Sequence, residues 1–367
     1  MTSPVRRALA APRFRRLFLA QTVSRWGDTF NAVALVILVF ELTGSGVNVA
    51  LTVAFEVVPV LLFGFLAGSV VDRLPRQRVM ILADVGRAAI ALALVVGQNE
   101  LVVVYAAAFG LSALSVFFNP AAASILPALV DEEDLVGANS AVWSAAVVSQ
   151  IALAPAAGAL VAFAGAGPAF ALNAATFVVS ALLLTGLRVL RRVRPVAGKH
   201  LEDVRAGFAV VRSSRLLATL ASVQALAALS AGATSALLVV LAQDHLGVGA
   251  TRFGWLLAAI SVGAGFGPLL LQRLIADPKR PTLLFGPYLL RGLVDLVLAA
   301  VASFAVALGS LVVYGVATST GTVTYNSVLQ TVVPDRFRGR IFAFYDVRAL
   351  ARLALVDAGQ HGLAHAG

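Results

Sequence analysis

The sequence has 367 residues, of which 60% are hydrophobic and only 13% are charged. A soluble globular chain is about 45–50% apolar and about 25% charged, so the composition excludes a soluble globular protein and indicates an integral membrane protein. The formal net charge is +10, and the absence of cysteine excludes disulfide bonds and thiolate metal sites.

The first apolar segment follows a basic N-terminus, as in a secretory signal, but Arg25 and Asp28 interrupt it and no convincing cleavage site follows. We therefore interpret it as a membrane span. A span needs about 20 mostly apolar residues, and lipid offers the backbone no hydrogen-bond partner, so the spans are helices. The sequence predicts ten, numbered 1 to 10: 17–41, 48–71, 79–97, 101–123, 139–163, 167–187, 216–243, 253–271, 282–302 and 304–329.

Basic residues are distributed unequally between the two sides of the predicted bundle. They concentrate in the N-terminus and in the connections after spans 2, 6, 8 and 10, whereas the connections on the other side contain only Arg252. Because basic loops stay in the cytoplasm, this pattern predicts a cytoplasmic N-terminus and a multi-pass protein of the plasma or inner membrane. It also accounts for the net charge without a nucleic-acid partner.

The longest connection, 188–215, follows six spans and divides the chain. Its second half places Leu201, Val204, Phe208 and Val211 on one helical face, which predicts an amphipathic helix along the membrane surface. We expect an N-terminal half at 1–187 with six spans, a cytoplasmic linker at 188–215, an incomplete C-terminal half at 216–340 with four spans, and an aberrant tail at 341–367.

An internal repeat supports this division. Equivalent residues recur in the same order and on matching spans, at offsets of 200 to 207 residues: Arg73 with Arg273, Arg87 with Arg291, and Asn119 with Asn326. Since six spans separate the equivalents, the two halves are predicted to be parallel repeats of the kind found in secondary transporters.

Several loop motifs resemble those of the major facilitator superfamily. "GSVVDRLPRQR" after span 2 is similar to the family motif G-x-x-x-D-R/K-x-G-R-R/K, with Pro75 and Gln77 as departures. "LPALVDEEDLVGANSA" after span 4 and "VPDRFRGRIFAF" after span 10 are typical of the branch that contains the enterobactin exporter and macrolide-efflux proteins; the second supplies Pro334, Asp335, Arg336, Arg338, Gly339 and Arg340. "APAAGAL" in span 5 resembles the antiporter motif G-P-x-x-G-G at Pro155 and Gly158.

The resemblance implies an all-α, two-half helical bundle with twelve spans, of which ten are predicted here. It also implies a cytoplasmic gate after span 2, in which an acid and several bases latch the halves together; the matching residues are Gly68, Asp72, Arg73, Arg76 and Arg78. The alternative is that these bases are topology signals only. The family's span 4 carries a buried arginine linked to proton coupling, and span 4 of this sequence has none.

Charged residues inside spans are costly and are therefore candidate functional residues. Arg25 and Asp28 share a face of span 1, and Asp28 lies about 16 Å deep, near the bilayer midplane. We predict that Asp28, together with Arg25 and secondarily Glu56 in span 2, binds the substrate or a proton. Two further pairs are predicted to be buried ion pairs at helical spacing: Asp84 with Arg87, and Arg291 with Asp295. A purely structural role is the alternative for each.

These features predict a secondary exporter of a small apolar or amphiphilic molecule such as a drug, siderophore or secondary metabolite. It would work by alternating access, with protons as the coupling ion and the bilayer as its other partner. No P-loop, G-x-S-x-G or H-E-x-x-H motif is present, so we predict no enzyme activity, cofactor or metal. The alternatives are an importer of the same fold and a truncated chain that does not transport.

The end of the sequence favours that last alternative. "IFAFYD" begins in the style of an eleventh span, but Arg348, Arg352, Asp357, Gln360 and His361 then interrupt the apolar run. The residues after about 346 are therefore expected to depart from the family pattern, with a ten-span variant or a docked interfacial helix as alternatives.

Overall fold

The computed structural model describes residues 4–187, 219, 222–223, 226–227, 230, 234, 237–274, 281–300 and 302–332. The predicted amphipathic helix in 188–215, the loop from Pro334 to Arg340 and the tail 341–367 lie outside the described residues. Within them the chain is helical, with no strand. The helices are α1 (Pro4–Ala10), α2 (Pro12–Thr43), α3 (Gly46–Arg73), α4 (Arg76–Gly97), α5 (Leu101–Ile125), α6 (Leu135–Ala164), α7 (Gly167–Thr185), α8 (Ala250–Leu274), α9 (Pro281–Ala300) and α10 (Phe304–Val332).

The helix ends follow from local backbone chemistry. Pro12 occupies the first turn of α2, where its missing N–H costs no hydrogen bond. Gly44 ends the same helix in the left-handed conformation (φ 61°), and its N–H donates to the carbonyl of Phe40. Two short 3₁₀ turns, Leu126–Ala128 and Glu132–Asp134, connect α5 to α6, and a π-helical turn, Leu241–His245, precedes α8.

Seven of the described helices are long and apolar enough to cross a membrane: Pro12–Thr43, Gly46–Gly64, Arg76–Gly97, Leu101–Ala128, Gly137–Ala164, Gly167–Thr185 and Phe304–Tyr325. They correspond to predicted spans 1 to 6 and 10. The predicted spans 8 and 9 are helical as α8 and α9 but are not among the seven, and only part of span 7 is described. The all-helical membrane architecture is thus confirmed, and the count of ten is not.

The same helix pairings recur in the two parts of the chain. In the first part α5 packs against α3 and α4, while α7 packs against α2 and α4. In the second part α10 packs against α8 and α9 in the same manner. These pairings place the second, third and fourth helices of each part in equivalent positions, which agrees with the repeat seen in the sequence.

The two parts meet at one end of the bundle. We call the end at which α2 begins the arginine-rich end, because Arg7, Arg16, Arg76 and Arg78 lie there. At the opposite end one core includes Phe40, Phe170 and Phe253, and so joins both parts. At the arginine-rich end the described core, which includes Phe14 and Met80, contains residues of the first part alone.

Candidate functional site

A polar cavity opens between the helices of the first part. Its volume is about 320 Å³. It is lined from α2, α4, α5 and α6, with Leu126 of the connecting turn: Gln21, Ser24, Arg25, Asp28, Arg87, Ser115, Phe118, Asn119, Ala122, Ala123, Leu126, Asn139 and Val142. The lining therefore contains two arginines, one carboxylate and several amide and hydroxyl groups. A molecule that enters this cavity meets hydrogen-bonding partners between helices that are long and apolar enough to cross a membrane.

Asp28 and Arg25 present their side chains to this cavity. Both are exposed within it, and no hydrogen bond or salt bridge joins either side chain to another described residue. The Asp28 carboxylate interacts electrostatically with Arg87 and Arg25. Gly27 explains the orientation, because a Cβ at that position would overlap Thr176 and Asn173 of α7. The close approach of α7 on one side of α2 turns Asp28 towards the open side.

Arg87 forms the wall of the cavity and is held by several partners. Its guanidinium forms a salt bridge with Asp84 one turn earlier, and both side chains are buried. Ser180 donates to the second Asp84 oxygen at 2.7 Å. The guanidinium carbon lies 4.4 Å from the ring centroids of both Phe118 and Phe177, so two aromatic faces enclose the cation. This predicted pair therefore ties α4 to α5 and α7.

Removing one charge of this buried pair should be far more costly than removing one at the surface. Asp84→Asn leaves the Arg87 charge buried without its counterion, and we expect a loss of about 3–5 kcal/mol in the free energy of unfolding. The control is the Arg7–Asp134 pair, in which Nε and Oδ1 are 2.9 Å apart and the Arg7 side chain is 40% exposed. Asp134→Asn should cost at most about 1 kcal/mol. Thermal unfolding of the purified protein in detergent measures both, and equal losses would contradict the expectation.

Glu56 lies on α3, outside the described lining of the cavity. It is half-buried, and its carboxylate is within electrostatic range of Asp28. Ser112 of α5 donates to the backbone carbonyl of Glu56, which fixes the helix at this point. The structure thus brings Asp28, Arg25 and Arg87 together, with Glu56 as a more distant neighbour.

At the arginine-rich end, polar side chains donate to the last carbonyls of neighbouring helices. Arg76 Nη1 donates to the Ser124 carbonyl at 2.8 Å, and Gln77 Nε2 donates to the Leu184 carbonyl at 2.8 Å. Arg16 donates to the Gly186 carbonyl. Helix C-termini carry unsatisfied carbonyls and partial negative charge, so they attract such donors. The sequence analysis did not identify these contacts of Gln77 and Arg16, although helix C-termini attract hydrogen-bond donors and cations.

For most of the other predicted gate residues, the structure describes the backbone but not the side chain. Gly68, Asp72 and Arg73 lie in the last turns of α3, and their side chains are outside the described set. Arg78 is exposed at the start of α4. The described gate contacts, those of Arg76, therefore stay within the first part of the chain.

The span 5 motif lies where the two parts touch. A Cβ on Gly158 of α6 would overlap the Ala250 carbonyl of α8, and a Cβ on Gly254 of α8 would overlap the Ala154 carbonyl of α6. Pro155 lies at the same crossing: its Cα is 2.8 Å from the position that a Cβ on Gly254 would occupy. Two glycines thus allow backbone-to-backbone contact between α6 and α8. The motif identified Gly158, whereas Gly254 was missed.

The predicted direct pair of Arg291 and Asp295 is not present among the described residues. Arg291 Nη2 donates instead to the Tyr314 hydroxyl at 2.8 Å and the Ala227 carbonyl at 3.1 Å. Asp295 accepts hydrogen bonds from Thr234 at 3.1 Å and Ser230 at 3.4 Å. The expectation of a direct ion pair is therefore corrected. Partners from neighbouring helices compete successfully for both groups, and Ser230 bridges them.

Among the described residues, no group of three or more His, Asp or Glu side chains is arranged to hold a metal ion.

Comparisons with known proteins agree on one family. A family model described as transmembrane secretion effector matches residues 3–359. An uncharacterized MFS-type transporter of Bacillus subtilis, YfiS, is 26% identical over 347 residues, covering 89% of this chain and 80% of the relative. The enterobactin exporter EntS of Escherichia coli is 26% identical over 347 residues, covering 90% of this chain and 80% of the relative.

Solved transporters share the fold. A bacterial homologue of the lysosomal transporter Spinster, in an inward-facing and unoccupied conformation, aligns with a TM-score of 0.75 at 16% identity, over 97% of this chain and 82% of that one. The nucleoside transporter NupG aligns with a TM-score of 0.77 at 12% identity, over 94% and 89%. A bacterial ferroportin homologue in the inward-facing state aligns with a TM-score of 0.71 at 17% identity, over 95% and 90%.

Proposed function

Because the chain belongs to the transmembrane secretion effector family of major facilitator transporters, a family of multi-pass membrane transporters and not of enzymes, we propose that it exports a small amphiphilic molecule by alternating access. The observation that carries the proposal is the cavity at Asp28. It contains a carboxylate and Arg25 within a largely apolar helical bundle, where charges are costly and therefore mark candidate binding or transport sites. The exporter among its relatives supports the direction of transport.

Protons are the proposed coupling ion. Asp28 is a carboxylate exposed in the cavity, and Glu56 is a second carboxylate within its electrostatic range. Two carboxylates whose charges repel each other favour the binding of one proton between them. Substrate release and proton entry would then alternate at Asp28, with Glu56 as the second proton acceptor.

The proposed motion is a rocking of the two halves, 1–187 and 216–340, about the α6–α8 contact. The arginine-rich end is assigned to the cytoplasm because basic residues concentrate on that side. The shared core at the opposite end and the separate core at the arginine-rich end support an inward-open arrangement. Pro155, Gly158 and Gly254 would keep the outer end closed in this state.

The proposed cytoplasmic gate consists of Asp72, Arg73, Arg76 and Arg78, with Gly68 allowing close packing, and it would engage the second-half loop from Pro334 to Arg340. Arg76→Ala removes a hydrogen bond to the end of α5 that a charged donor makes, so we expect a loss of about 1.5–3 kcal/mol in unfolding free energy and slower transport. Arg13→Ala is the matched control, since that side chain is exposed at the same end of the bundle and is not part of the proposed gate. Thermal unfolding and efflux rates of the two variants would be compared, and similar values for both would contradict the assignment.

An efflux assay tests the proposed function as a whole. Cells that express the chain would be loaded with radiolabelled amphiphilic compounds, including catechol-containing siderophores and macrolides. Export predicts lower accumulation than in cells without the protein, and counterflow in proteoliposomes separates export from import. Equal accumulation for all compounds, with the protein present in the membrane, would reject the proposal.

A further inference from the structure

The Arg87 guanidinium interacts with two carboxylates, one buried beside it and one in the cavity. Asp84, on the same helix, is fully buried and forms a salt bridge with Arg87. Asp28, on α2, lines the same cavity as Arg87 and interacts with it electrostatically, although no salt bridge joins the two side chains. Two acids therefore attract one cation, and only Asp84 holds it by direct contact.

The salt bridge between Asp84 and Arg87 is held in place from several sides. Ser180 of α7 donates to the second Asp84 oxygen at 2.7 Å, and two aromatic rings enclose the guanidinium. Arg87 still has an unused donor, because its Nε–H is buried and has no hydrogen-bond acceptor among the described residues. Asp84 thus neutralises only part of a cation whose remaining charge acts on Asp28.

Few other charges lie close enough to influence Asp28. Arg25 is on the same helix, and Glu56 of α3 is within electrostatic range. The sequences of α5, α6 and α7 contain no charged residue, and the arginines of α1 belong to the arginine-rich end. At Asp28 the attraction of Arg87 outweighs the repulsion of Asp84. The buried pair of α4 therefore acts on Asp28 mainly through its positive member.

We propose that Asp84 sets the proton affinity of Asp28 by holding the Arg87 guanidinium that both carboxylates attract. A nearby cation favours the ionised form of a carboxyl group, so Arg87 promotes release of the proton from Asp28. Asp84 moderates this effect, because its negative charge offsets part of the cation and its salt bridge fixes the position of the guanidinium. The proposal rests on the proposed role of Asp28 as the proton site, and Asp84 is a positioning residue that acts through Arg87.

Two variants of the buried pair should shift the protonation of Asp28 in opposite directions. Asp84→Asn removes the competing negative charge, so Asp28 should bind its proton only at lower pH. Asp84→Asn combined with Arg87→Gln removes both charges and leaves neither partner as an unpaired buried ion, so Asp28 should bind its proton at higher pH. We expect the double variant to shift the midpoint by about one pH unit, the lower end of the range for a neighbouring charge, and Asp84→Asn to shift it less.

Infrared difference spectroscopy measures this protonation directly, because a protonated carboxyl group has a C=O stretching band that the carboxylate lacks. Spectra of the full chain in lipid nanodiscs would be recorded over a range of pH, and the band that Asp28→Asn removes belongs to Asp28. Asp134→Asn is the control, since it removes one acid from the Arg7–Asp134 pair at the surface and should leave the midpoint of the Asp28 band unchanged.

The same midpoint in the unmodified chain and the double variant would overturn the proposal, since the pair would then serve packing alone. So would shifts of the same sign in both variants, or the absence of an Asp28 band at every pH. The double variant decides the outcome even where Asp84→Asn does not fold. Export is measured separately, so opposite shifts in a chain that does not export would support this proposal and reject the proposed function.

Discussion

Asp28→Asn is expected to abolish export while leaving the amount of folded protein in the membrane unchanged. Asparagine has the same size as aspartate but carries no charge and accepts no proton. Asp28 is exposed in the cavity and forms no hydrogen bond or salt bridge with another described residue, so its replacement removes only its electrostatic interactions with Arg87 and Arg25. We expect the export rate to fall by at least about tenfold, the effect of losing one charged interaction with the transported species.

Glu41→Gln is the matched control, because Glu41 is an exposed carboxylate near the other end of the same helix. Efflux of the identified substrate, normalised to the protein found in isolated membranes, is the measurement. Export at the unmodified rate in Asp28→Asn would remove Asp28 from the mechanism. A similar loss in both variants would show that the effect comes from the helix and not from the cavity.

Gly254→Ala is expected to open the contact between α6 and α8 and to reduce transport. The added methyl group would overlap the Ala154 carbonyl, and a backbone carbonyl cannot move aside as a flexible side chain does. The helices must separate, at a cost of about 1–3 kcal/mol for overpacking. Because this contact closes one end of the bundle, the variant should lose the closed state of that end. We expect a reduction in transport of about tenfold, the factor that corresponds to 1.4 kcal/mol.

Accessibility of an introduced cysteine measures this opening directly. Ala157 on α6 is fully buried in the core that joins the two parts. The thiol of Ala157→Cys should therefore be unreactive when this is the only substitution, and reactive in combination with Gly254→Ala. Gly309→Ala is the control, since a Cβ there would meet no atom within 4 Å. A thiol at position 157 that stays unreactive with Gly254→Ala, or reacts equally with Gly309→Ala, would contradict the role of the glycine contact.

The sequence predicted contacts within a helix better than contacts between helices. The spacing of Asp84 and Arg87 indicated a pair, and the structure contains it. The spacing of Arg291 and Asp295 is equally suitable, yet no direct pair is found among the described residues because Tyr314 of α10 binds the arginine. Helical periodicity gives the neighbours along one helix, whereas the groups that other helices bring depend on packing that periodicity does not encode.

Contacts between helices were also missed at the α6–α8 crossing and in the cavity at Asp28. The motif around Pro155 identified one side of the α6–α8 crossing, but Gly254 carries no motif and only its position opposite Ala154 reveals its role. Charge and depth identified Asp28 and Arg25. The sequence did not reveal that Arg87 would line the same cavity, because the enclosure of its guanidinium between Phe118 and Phe177 brings three helices together.

The contact of Gly27 with α7 has a mechanical consequence. The backbone of Gly27 lies so close to Asn173 and Thr176 that a rotation of α2 about its own axis would bring side chains of α2 into collision with α7. Asp28, the next residue, can therefore change its surroundings only when α2 and α7 tilt together as one body. Distances between spin labels on α2 and α7 should stay constant through the transport cycle, while distances from either helix to α9 change.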